Sequence, residues 1–216
     1  MREAEFMGAL IASVSHEMLN VLATIHQSSG LMDDLMGAGV RKGLLGIGVK
    51  TEFVHQEKFK AILGNIGQQV QRGMALSEAL NVLGHAPEMD AWERCELWVA
   101  AGATLRLSER LARKRKVRFS LGRQQAPVQA GLGSIWAMMA IHEAMQALLA
   151  GLKDREVEVA AESAPEGPVV RFRTGSSGLS GLDVPAKVLT FRERTVRLIP
   201  AADGLALVFP PAGEGA

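Results

Sequence analysis

A histidine, a glutamate and an asparagine stand close together in ASVSHEMLNVLATIHQ, residues 12 to 27. His16 and Glu17 are adjacent, and Asn20 lies one helical turn after His16. An imidazole can carry a transferred group, ligate a metal or simply pack in a core. A neighbouring carboxylate that accepts a proton or hydrogen bond from one ring nitrogen leaves the other more nucleophilic. A carboxamide one turn away can orient a phosphoryl oxygen or a hydrolytic water. Residues of a helix follow at about 100° round the axis, so the apolar stripe of this segment centres near Val14, Ile25 and Met32. His16 falls on the opposite side, with Asn20 within about 40° of it by the same count. A packed core histidine belongs inside the stripe. His16 therefore reads either as a plain solvated side chain or as a reactive one with Glu17 and Asn20 beside it.

His-Glu recurs at His142 and Glu143, in HEAMQ. A zinc-hydrolase helix needs a second histidine four residues on, and Asn20 and Gln146 stand there instead. No metal site is expected at either place.

The elements that must position these residues follow from apolar spacing. Phe6, Leu10, Val14, Met18, Val21, Leu22, Ile25, Met32 and Met36 recur at helical intervals and predict one helix over residues 3 to 36. The glycine-rich MGAGVRKGLLGIGVK, residues 36 to 50, predicts a break. A second helix is expected from about Lys50 to Leu83, with Phe59, Leu63, Ile66, Val70, Leu76, Leu80 and Leu83 on its apolar side. GHAPEMD, residues 84 to 90, marks a boundary between a helical-hairpin domain (1 to 86) and a second domain (90 to 216). A lone hairpin cannot bury its stripes, so two are expected to pair as a four-helix bundle in a homodimer. Beyond the boundary, residues 90 to 116 and 134 to 152 predict helices. VRFSL, EVEVAAE, PVVRFRT, TVRLIP and LALVFP predict strands, the last four as two hairpins. The fold class is α+β: a helical hairpin followed by a two-layer α/β sandwich.

Bulk properties set the outer limits. The chain has 216 residues, 48% hydrophobic and 22% charged, an ordinary globular composition. A formal net charge of +1 gives no global pull toward nucleic acid or an anionic membrane. Cys95 is the single cysteine, which excludes an intrachain disulfide. MREAEFMGALIASVSHE has too short an apolar run and too early a glutamate for a signal peptide. No run of about 18 uncharged apolar residues occurs, so no membrane span is expected and the cytoplasm is the simplest compartment.

SHEMLNVLATI resembles the phospho-acceptor box of sensor histidine kinases, where a serine-histidine-glutamate triplet opens a helix of the dimerising hairpin. The hairpin and the α/β segment after it have that family's order of dimerisation and ATPase-like domains, so the resemblance spans nearly the whole chain. It implies His16 as phosphoryl carrier, Glu17 as acid/base partner and Asn20 at the polar position of phosphatase chemistry. Three departures matter. Where the kinases have an asparagine for magnesium and ATP phosphates, AIHEAMQALLAG carries Gln146, with His142 one turn earlier. Their Asp-x-Gly-x-Gly turn, whose aspartate reads adenine, faces RFRTGSSGLSGLDVP, where Asp183 arrives several residues late. The second glycine-rich loop and lid helix are also missing. The combination resembles the histidine phosphotransferases that look like degenerate kinases. These relay phosphoryl groups to or from aspartates of response-regulator receiver domains, with magnesium on the receiver and no cofactor of their own. An ATP-using kinase with an eroded site and a non-catalytic pseudokinase scaffold are the alternatives.

The remaining features have plainer readings. ERLARKRKVRF, residues 109 to 119, is a solvated helix end complementing the helix dipole, or a dock for an acidic receiver domain. It lacks the interleaved aromatics of a single-strand nucleic-acid binder. Trp92, Trp98 and Trp136 read as core or interface packing, as do Met138, Met139 and Met145. His26 and His55 have no adjacent glutamate and no assigned role. Ala9, Ala12 and Ala23 near the His16 face would leave a low-relief surface suited to a docking helix.

Overall fold

The computed structural model describes residues 2–43, 56–89, 94–124, 126–175, 184–201 and 203–213. The expected Gly/Ser loop after Arg173 lies mostly outside them, as do Asp183, His55, Trp92 and the end of the glycine-rich break.

Two long helices come first, α1 (Glu3–Gly43) and α2 (Gln56–Met89). Both run further than the spacing predicts. α1 continues through Met36 into the glycine-rich segment, and α2 continues through Gly84 and Pro87. A helical glycine is unfavourable by about 1 kcal/mol without ending a helix. Pro87 falls in the final turn, where only one N–H donor is lost and no further turn has to follow.

The chain forms two compact units whose limits differ from the expected 1–86 and 90–216. One is Val14–Ser77; the other joins Met1–Ser13 to Glu78–Ala216. The division falls inside the helices because their outer turns serve the second unit: Phe6 and Leu10 of α1, and Ala79, Leu83 and Ala86 of α2, are buried there.

The Val14–Ser77 unit is an antiparallel hairpin. Glu17 pairs with Arg72, while Ser28, eleven residues on, accepts a hydrogen bond from Asn65 at 3.3 Å. Val14, Glu17, Val21 and Ser28 form the buried stripe of α1, at three-and-four spacing, and Leu76 of α2 is buried as well. At Gly73 the Val21 side chain fills the space in front of α2: a Cβ there would sit 3.5 Å from Val21 Cγ1. The stripe is narrower than expected. Leu22, Met36, Leu63 and Val70 belong to the expected apolar sides, yet each is 44–56% exposed, because two helices alone cover one seam only.

The other unit holds a mixed six-stranded sheet in the order β2-β4-β5-β8-β7-β6. Its strands are β2 (Arg118–Leu121), β4 (Glu156–Ala164), β5 (Gly167–Arg173), β6 (Lys187–Phe191), β7 (Arg194–Ala201) and β8 (Gly204–Val208). β2 runs parallel to β4 and every other pairing is antiparallel. Register places Val159 opposite Phe172, Val170 opposite Leu207 and Leu198 opposite Leu207, all buried on one face. Helices α3 (Leu97–Leu107) and α5 (Ser134–Gly151) cover that face as the second layer. At Gly204 the backbone lies against the Phe172 carbonyl so closely that no Cβ fits.

The single helix expected over 90–116 is instead β1 (Cys95–Glu96), α3 and α4 (Glu109–Lys114). β1 pairs with β3 (Gln129–Ala130). Glu96 sets the start of α3, since its carboxylate accepts the Trp98 and Val99 amides. Ser108 separates α3 from α4, its N–H returning to the Thr104 carbonyl at 3.0 Å.

Candidate functional site

Within the hairpin, His16 and Asn20 lie exposed on the same face of α1. This is where the helical wheel placed them. Thr24 Oγ1 donates to the Asn20 carbonyl at 2.9 Å, a bond within the helix that fixes the backbone there. Glu17 turns the other way. It is 3% exposed and its carboxylate forms an ion pair with the Arg72 guanidinium of α2. An exposed imidazole thus sits one residue from a charge pair that locks α1 to α2. The wheel centred on Val14, Ile25 and Met32 missed this inward glutamate. The spacing Val14–Glu17–Val21 carried the signal, since it places Glu17 between two stripe positions. Ala9, Ala12 and Ala23 are exposed, as is His26.

The second group of expected site residues lies in the other unit, on α5. His142 is 3% exposed and both of its ring nitrogens are bonded. Gln146 Nε2 donates to His142 Nε2 at 2.9 Å, which leaves the ring proton on Nδ1 facing Ser108 Oγ at 3.0 Å. The Phe6 ring packs edge-on at 5.5 Å. Burial pushes the His142 pKa below its ordinary value, and the Glu143 charge offsets this in part. Such a histidine is neutral and ties α5 to the α3–α4 junction and to the first turns of α1. Gln146 spends its amide on that histidine, and Glu143 pairs with Lys187 of β6 at 2.5 Å.

The other aromatic and methionine residues behave as packing. Trp136 is 5% exposed; its Nε1 donates to Glu3 at 2.7 Å and Arg192 stacks on the ring at 4.4 Å. Trp98 Nε1 donates to the Gly122 carbonyl at 3.1 Å. Met138, Met139 and Met145 are buried. Among the described residues, a cavity of about 750 Å³ opens at the corner of the sheet, lined by Ser120, Glu158, Arg173 and Asp203, and it contains none of the expected site residues. No three His, Cys, Asp or Glu side chains gather as a metal-binding group among the described residues.

By length and composition, part of α1 within Glu3–Met36 is apolar enough to cross a membrane, contrary to the expectation from uncharged runs. That part pairs with α2 as a hairpin in this structure, with a buried ion pair along its seam.

No protein-family model matches the chain, and no curated protein matches it. Among solved structures, it is similar to the histidine kinase AdeS of Acinetobacter baumannii, with 10% identity and a TM-score of 0.39, over 88% of this chain and 98% of that one. It is similar to a bacterial phosphotransferase, with 11% identity and a TM-score of 0.44, over 96% and 97%. It is similar to the histidine kinase ThkA, solved in complex with the response regulator protein TrrA, with 12% identity and a TM-score of 0.37, over 97% of this chain and 63% of that one.

Proposed function

We propose that the protein is a cytoplasmic histidine phosphotransferase of two-component signalling, relaying phosphoryl groups to or from receiver-domain aspartates. The observation that supports this reading is the exposed His16, with Asn20 on its face, on a helix braced by the buried Glu17–Arg72 pair. A rigid, accessible nucleophile suffices when the partner brings the acyl phosphate and its magnesium, because positioning is then most of the catalysis. His16 attacks phosphorus in line, the P–N bond forms as the P–O bond to aspartate breaks, and the carboxylate leaves. Glu17, expected as the acid/base partner, acts in this proposal as a positioning residue that braces α1 through Arg72, and Asn20 orients a phosphoryl oxygen. Leu19, Leu22, Leu63, Val70 and Met74 are 44–64% exposed on the hairpin, which supports its pairing with a second copy as a four-helix bundle.

One observation favours a different reading, a non-catalytic scaffold: the Glu17 carboxylate is engaged by Arg72. The test is incubation with a phosphorylated receiver domain and, in parallel, with ATP and magnesium, for wild type, His16→Ala and Glu17→Gln. Label that moves from the receiver to wild type but not to His16→Ala, with none from ATP, is the expected result. Label from ATP would make the chain a kinase. No label across a panel of receivers would leave the scaffold.

A further inference from the structure

The basic run over α4 and β2 has no part in the proposed transfer at His16. Between Arg106 and Arg118 the chain carries seven cations against Glu109 alone. With a net charge of +1 for the whole chain, this segment holds +6 and the remainder −5. The ion pairs there are surface pairs: Arg113–Glu109 at 2.9 Å, Arg118–Glu156 at 3.2 Å and Lys116–Asp154 at 3.7 Å. Exposed pairs of this kind contribute little, so the local field stays positive.

Beneath these cations lies a groove of about 540 Å³ between the helix layer and the edge strand β2. Leu105, Val117 and Phe119 form its apolar floor, and the exposed Arg113, Lys116 and Arg118 form its rim. Backbone conformation adds a separate sign. The Lys116 and Val117 amides close the last turn of α4 onto Arg113 and Ala112, and Lys116 has φ +55°. Glycine is the favoured residue at such a left-handed helix end, and a side chain there is unfavourable by about 1 kcal/mol. The chain keeps a cation at a position where glycine is more stable.

The edge strand indicates the form of the occupant. Arg118 and Gly122 donate their amides to Arg155 and Val159 on the β4 side. By strand alternation the Phe119 and Leu121 amides point away from β4, where an extended segment finds backbone partners. We propose that this groove docks an extended acidic segment of a partner protein, seated by an apolar anchor residue. A single-stranded nucleic acid would call for exposed aromatic platforms, and a membrane surface for apolar groups that protrude; here the apolar groups are recessed.

The test is fluorescence anisotropy of a labelled peptide, Asp-Glu-Asp-Leu-Phe-Asp-Glu, against the full chain. The double variant Arg113→Ala/Arg118→Ala should weaken binding about tenfold, as should replacing Leu-Phe in the peptide by Ser-Ser. Lys116→Gly should weaken binding by about threefold while its melting temperature rises, which separates lost recognition from lost folding. Absent binding, binding unchanged within about twofold in the double variant, or equal binding of the Ser-Ser peptide overturns the proposal. So does tighter binding of duplex DNA or of vesicles containing anionic lipid.

Discussion

Arg72→Ala removes the cation facing a carboxylate whose side chain is only 4% exposed. Within an ion pair the larger loss comes from the change that leaves the more buried charge behind. Arg72 is 28% exposed, so in Glu17→Ala its guanidinium can draw on water, and the expected loss is about 1–2 kcal/mol. In Arg72→Ala the Glu17 charge stays on the stripe between Val14 and Val21, and the expected loss is about 3–4 kcal/mol. Glu17→Leu with Arg72→Met removes both charges and should return stability to within about 1 kcal/mol of wild type. The three tryptophans lie outside Val14–Ser77 and the chain has no tyrosine. Far-UV ellipticity in a urea titration therefore includes the hairpin, while tryptophan fluorescence reports the other unit. Arg72→Ala should shift the ellipticity transition far more than the fluorescence transition. Wild-type stability in Arg72→Ala to within about 0.5 kcal/mol, or a larger loss in Glu17→Ala, would refute the reasoning.

Burial holds His142 below the ordinary histidine pKa, so the stability it contributes is complete above about pH 6.5 and is lost as pH falls toward the lowered folded value. Fluorescence-monitored unfolding should weaken from pH 7 to 5, and His142→Gln should flatten that slope. Gly84→Ala adds a Cβ that meets nothing within 4 Å inside α2, and should raise stability by about 0.8 kcal/mol in thermal melts. Gly204→Ala would press a Cβ into the Phe172 carbonyl and should abolish folding in the same assay. If the hairpin pairs with a second copy, Leu19→Glu with Leu22→Glu should halve the sedimenting mass while leaving the helix content of each chain in place. An unchanged mass would rule out that interface.

Apolar spacing made the long helices and the strands β2, β4, β5, β7 and β8 legible, because each repeats a period over several residues. The helix ends were not legible: Gly84 and Pro87 look like punctuation, but a helix tolerates a glycine, and a proline in its last turn disrupts little. The break at Ser108 and the two-residue strands β1 and β3 depend on partners distant in sequence, which no local pattern carries. At the candidate site, exposure of His16 and Asn20 could be read from a wheel. The inward turn of Glu17 could not be secured without Arg72, fifty-five residues away. His142 looked like a relic of a cofactor position, and its packing among Phe6, Ser108 and Gln146 is a tertiary fact that periodicity does not encode.

The unit that begins at Met1, pauses at Ser13 and resumes at Glu78 has a consequence for synthesis. Phe6, buried in the finished protein, rests on His142, and Glu3 accepts its hydrogen bond from Trp136. A ribosome adding about 5–20 residues per second needs roughly 7–26 s to make the intervening chain. During that interval the first turns of α1 have no core to enter, and their apolar side chains are open to chaperones or to another nascent chain. The Val14–Ser77 hairpin draws on no residue beyond Ser77 and can form first. Its closure draws residues 14 and 77 together, which shortens the free chain between Phe6 and the core that assembles after Glu78.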